Sequence, residues 1–106
     1  MAFSKQHLYP LDDQMTSDYA KAISHPARLQ ILKQLQSAGT ICVQEIAEAH
    51  PISKEALSGH LKILRALQLV ECTERFPFTF YTVDTINVKK ANDFLEKFFD
   101  LFGIKD

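Results

Sequence analysis

Residues 53–64 read SKEALSGHLKIL, and the spacing of their leucines decides the fold. Leu57, Leu61 and Leu64 recur on one helical face, and Ser53 offers a hydroxyl as N-cap. Gly59 nevertheless stands mid-helix, at a cost of about 1 kcal/mol relative to alanine. Wound over 54–67 at about 100° per residue, the leucines face inward. Glu55, Ser58, Gly59 and Lys62 face the opposite way, His60 lies on the flank beside the leucine stripe, and Lys54 and Arg65 lie on the other flank. A face of short side chains with one lysine suits entry into the major groove of DNA, where base edges and phosphates need close approach. Gly59 is then a trade of helix stability for proximity to DNA; the alternative is a defect tolerated because tertiary packing holds the helix.

Upstream, QEIAEAH at 44–50 reads as a short helix stopped by Pro51. The tight PIS link then makes a helix-turn-helix over about 44–67. TICV at 40–43 is a short β-rich piece, read as an edge strand. HPARLQILKQLQSAG at 25–39 places Pro26 at a first helical position and Gly39 just past the end. A first helix over about 12–24 carries Met15, Tyr19, Ala22 and Ile23 behind Asp12 and Asp13. Downstream, LVECTER and FTFYTV alternate as a hairpin over about 69–83. Its tip, Phe76 and Pro77, does not suit the usual Asn-Gly type of two-residue turn, so a longer, stiffer loop is expected. Alternation sends Phe78 and Phe80 to one face and Tyr81 and Val83 to the other. Finally, 86–103 repeats apolar residues in an amphipathic helix ending at Gly103. The expected fold is mainly α (α+β): one winged helix-turn-helix domain over 1–106, with a two-stranded wing and terminal helices.

At 106 residues and 46% hydrophobic, the chain has material for a core. No segment approaches the roughly 20 apolar residues that span a bilayer, so no membrane partner and a cytoplasmic location are expected. The net charge of −1 argues against coating nucleic acid by bulk electrostatics. Over 53–75, Lys54, Lys62, Arg65 and Arg75 stand against Glu55, Glu71 and Glu74, one net positive charge. Phosphate contacts should therefore be few per protomer.

HPARLQILKQL, ICVQEIAEAHPISKEALSGHLKILRALQLVE and FYTV together resemble the ArsR/SmtB family of dimeric winged-helix repressors, in order across residues 22–83. Gln68 stands where that family usually has glycine. The resemblance implies DNA contacts by Lys54, Glu55, Ser58, Gly59, His60 and Lys62, with Arg75 in the wing. It also implies a dimer built from the first and last helices. Two departures are visible: a basic or polar side chain often occupies the Gly59 position, and the wing tip often carries arginines and glycine where this chain has ERFPF.

Phe94, Leu95, Phe98, Phe99, Leu101 and Phe102 form a stripe too wide for one helix on a small body to bury. With Tyr19, the residues Phe94, Leu95, Phe98, Leu101 and Phe102 are expected at a homodimer interface, an intrachain core stripe being the alternative. Relatives often bind metals through a CVC pair; here Cys42 matches the first thiol and Gln44 replaces the second, so no metal or other cofactor is expected. Cys42 and Cys72 read as reduced core thiols, not a disulfide framework or a redox switch. No nucleophile, base and orienting residue stand together and no Gly-rich phosphate loop follows a strand, which argues against an enzyme. The leading expectation is a homodimeric regulator, a repressor of an inverted-repeat operator on double-stranded DNA with an unidentified effector. The rival is a winged-helix module that binds another protein through its aromatic wing tip and C-terminal stripe.

Overall fold

The computed structural model describes residues 5–104. A short 3-10 turn at Gln6–Leu8 precedes helix α1 (Leu11–Ala22) and helix α2 (Pro26–Ala38). Strand β1 (Ile41–Cys42), helix α3 (Val43–Glu48) and helix α4 (Lys54–Ala66) follow, then strands β2 (Val70–Arg75) and β3 (Phe78–Val83) and helix α5 (Thr85–Asp100).

Local chemistry sets each boundary. His25 caps α2 by accepting the Ala27 N–H on its Nδ1 at 3.0 Å, with Pro26 at the first helical position. Gly39 closes the helix at φ 84°. Ser53 caps α4, its Oγ accepting the Ala56 N–H at 3.1 Å. At the far end of α4, Leu69 N–H reaches the Leu64 carbonyl at 3.0 Å and Gln68 N–H reaches the Arg65 carbonyl at 2.9 Å. This is a Schellman closure, and it puts Gln68 at φ 61°.

The wing has the two expected strands, β2 and β3, and β1 joins them in a three-stranded sheet of order β1-β3-β2, all antiparallel. The edge strand read at TICV pairs with the hairpin through Ile41 opposite Tyr81 and Cys42 opposite Phe80. The wing is therefore anchored to the segment that leads into the helix-turn-helix. A longer loop at Pro77 is not what forms: Arg75 pairs with Phe78, leaving only Phe76 and Pro77 in the turn. The Phe76–Pro77 peptide is cis, which places proline at the second central position of a tight turn, a geometry the Asn-Gly pattern does not cover. Side-chain alternation is as read: Tyr81 is buried, while Phe78 is exposed.

One hydrophobic cluster runs through α1 to α5 and the sheet. Its fully buried members Ile31, Leu35, Ile46 and Leu64 each contribute roughly 1.5–3 kcal/mol. Leu57, Leu61 and Leu64 point into it, so α4 is held along one face only. Helix α5 packs on α1, with Tyr19 and Phe94 ring centroids 5.7 Å apart and Lys97 to Asp12 at 3.1 Å.

Candidate nucleic-acid interface

The outer face of α4 is what the leucine register predicts. Lys54, Glu55, Ser58, Gly59 and Lys62 are all exposed. Among the described residues, neither Lys54 nor Lys62 enters an ion pair. A Cβ built on Gly59 meets nothing within 4 Å, so no intrachain neighbour asks for glycine there. The resulting surface is low at its centre, with a lysine at either end.

Beside this face lies a groove of about 430 Å³ between α3, α4 and the hairpin, bordered by Gln44, Lys54, Ser58, Arg65, Pro77 and Thr79. Tyr81 and Cys72 line it as well. Burial and a hydrogen bond with the Cys72 thiol push the Tyr81 phenol above its usual range, so the phenol keeps its proton at physiological pH. At the hairpin tip Phe76 is 99% exposed and Phe78 47%. Arg75 beside them is exposed too, the one cation of the wing.

His60 departs from the rest of the face. It is half-buried, and its ring lies 4.4 Å from that of His25. Its Nδ1 is 2.9 Å from an amino nitrogen of Arg28. Arg28 is only 6% exposed and also donates from Nε to the Ala22 carbonyl at 2.8 Å. Its other amino group donates to the Lys21 carbonyl at 3.0 Å and to Ser24 Oγ at 3.1 Å. Burial, then the neighbouring His25 and Arg28, lowers the pKa of His60. The sequence reading missed Arg28. The signal was available: Arg28 shares a helical stripe with the buried Ile31 and Leu35, and an arginine on an apolar stripe needs polar partners.

Of the residues read as a dimer interface, Tyr19 is buried and Phe94 and Leu95 are half-buried within the chain's own core. Phe98, Leu101 and Phe102 are exposed, together with Phe99, Ile104 and Leu11. Cys42 and Cys72 are half-buried free thiols, and Cys42 Sγ donates to the Glu45 carboxylate at 3.5 Å. Among the described residues, no group of three or more His, Cys, Asp or Glu side chains is placed to hold a metal ion. No described helix is long and apolar enough to cross a membrane.

A helix-turn-helix whose second helix is bare along its outer face, followed by a hairpin wing, defines a winged-helix DNA-binding protein. The chain belongs to the arsR family of bacterial regulatory proteins, whose profile matches residues 25–71. It is 32% identical over 78 residues to the transcriptional repressor SdpR of Bacillus subtilis, covering 74% of this chain and 86% of that protein. To the transcriptional regulator NmtR of Mycobacterium tuberculosis it is 41% identical over 64 residues, 58% of this chain and 52% of that one. The structure of HlyU from Vibrio cholerae superposes with a TM-score of 0.67 at 26% identity, over 91% of this chain and all of that one. The protein is thus a DNA-binding transcriptional regulator, in a family of regulators and not of enzymes.

Proposed function

We propose that the protein is a homodimeric repressor that occupies an inverted-repeat operator, one α4 helix per half-site. The observation that carries this reading is the outer face of α4: Lys54, Glu55, Ser58, Gly59 and Lys62 stand exposed on a helix locked from behind by Leu57, Leu61 and Leu64. Ser58 and Glu55 are suited to base edges, Lys54 and Lys62 to phosphates, and Gly59 to close backbone approach. Arg75 would meet the backbone from the wing. The exposed apolar run Phe98, Leu101 and Phe102 fits a second copy of the chain, which would space two recognition helices for successive major grooves. Similarity to a named repressor, SdpR, supports repression as the sign of the regulation. The reading places the protein in the cytoplasm with the chromosome, answering to an effector whose identity is open.

Selection of bound duplexes from a random library, at low and then higher salt, tests it. The expected result is an inverted repeat with half-sites about one helical turn apart. Absence of enrichment at every salt overturns it in favour of a protein-binding module. The wing tip favours that second reading, because Phe76 and Phe78 expose apolar surface beside a single cation.

A further inference from the structure

Arg28 stands behind the recognition helix, buried, with its guanidinium shared among three elements of the fold. Two of its bonds take the Ala22 and Lys21 carbonyls at the end of α1, and a third takes Ser24 Oγ in the link to α2. The fourth goes to His60 Nδ1 on α4, at 2.9 Å. A guanidinium has five donors and no acceptor. The Nδ1 it faces must therefore be the unprotonated nitrogen, and a neutral His60 ring carries its proton on Nε2. Among the described residues no buried side-chain nitrogen or oxygen lacks a partner, and no protein group takes Nε2 of His60. Nε2 therefore opens to solvent, next to Gly59 on the flank of the exposed face.

We propose that Arg28 is a positioning residue for DNA recognition: it fixes His60 in the Nε2–H tautomer, so that the ring presents a donor to a backbone phosphate of the bound duplex. The opposite tautomer would turn a lone pair toward the phosphate and set an N–H against the guanidinium. His25 supports the same state from the other side. Its Nδ1 is engaged as the α2 cap, and its ring lies against that of His60. The guanidinium also ties the end of α1 to the flank of α4, so the placement of the donor is referenced to α1. The phosphate half of this inference rests on the DNA-binding reading above; the tautomer half does not.

Two measurements separate these halves. Long-range ¹H–¹⁵N spectra of the histidine rings in the free protein, wild type and Arg28→Met, read the tautomer without DNA. The wild type is expected as Nε2–H at His60, and Arg28→Met, which has no N–H donor to offer Nδ1, as a mixture of tautomers. An Nδ1–H wild type, or the same tautomer in both chains, overturns the assignment. Binding to a duplex recovered by selection is then measured for the wild type, Arg28→Met, His60→Leu and the double variant, with melting curves alongside. If Arg28 acts through His60, each single change weakens binding about tenfold, the worth of one charge-assisted hydrogen bond, and the double variant is no weaker than His60→Leu. Additive losses mean that Arg28 is only structural, and a His60→Leu chain that binds like the wild type removes the phosphate contact. Should Arg28→Met fail to fold, the wild-type spectrum and His60→Leu binding still decide. Should the wild type bind no duplex, the DNA reading fails while the spectra still judge the tautomer.

Discussion

Gly59 costs helix stability and nothing inside the chain requires it, because a Cβ at that position enters open space. Gly59→Ala should therefore raise stability by about 1 kcal/mol, seen as a higher melting temperature. The same methyl should lower duplex affinity in fluorescence anisotropy if the helix seats against DNA there; unchanged affinity would leave Gly59 as a tolerated defect. His60 makes a different kind of prediction. Its pKa is lowered in the folded chain from the usual 6.5. Between the lowered value and 6.5 the unfolded chain binds more protons, so stability is full above about pH 6.5 and falls as pH drops below it. His60→Asn keeps an acceptor for Arg28 and does not titrate. Between pH 7.5 and 5.5 its melting temperature should fall less than that of the wild type; equal falls would show that His60 is not the titrating group.

Helix α4 is the element to which the proposed function assigns DNA recognition, and both of its ends are chemically defined. Loss of the Ser53 cap in Ser53→Ala should cost about 1 kcal/mol in denaturant unfolding without moving the leucine face. At the other end Gln68 occupies the left-handed region at φ 61°, which is costly for a residue with a Cβ. Gln68→Gly relieves that crowding but adds chain entropy to the unfolded state. The net gain should be roughly 0.5–1 kcal/mol, read from the same unfolding curves. No gain would mean that the Gln68 side chain is itself stabilising. The Schellman closure supplies the α4-to-β2 turn that aims the wing.

For the molecule as a whole, the decisive surface is the end of α5. Leu101 is 79% exposed and Phe102 64%, an apolar patch that a soluble monomer does not ordinarily leave bare. Phe98→Glu should convert a dimer to monomers in light scattering, and a dimer that persists would place the interface elsewhere. Dimerisation also bears on affinity. Lys54, Lys62, Arg65 and Arg75 are the available cations of the recognition region, so even a dimer using all of them should show a log–log salt slope no steeper than about −7. A steeper slope would demand phosphate contacts from helices outside α4 and the wing.

Periodicity and punctuation were enough for the helices and the hairpin: the leucines of α4, Pro26 and Gly39 around α2, and Ser53 as cap all act within a few residues of themselves. Local signals of this kind also placed the outer face of α4, because burying one side of a helix specifies the other. Three features needed the folded chain. The pairing of Ile41 with Tyr81 joins strands forty residues apart, and no local pattern encodes such a partner. The tight turn at Phe76 and Pro77 follows from the pairing of Arg75 with Phe78, a register that residue identity permits without specifying. The meeting of Arg28, His25 and His60 on α2 and α4 requires two helices to be packed before any of the three has its partner. Sequence alone determined the elements and the side that each buries, since those follow from local hydrogen bonding and the hydrophobic period. Only tertiary structure decided which polar groups meet behind the recognition helix, because a buried guanidinium is satisfied by whatever the packing brings within reach.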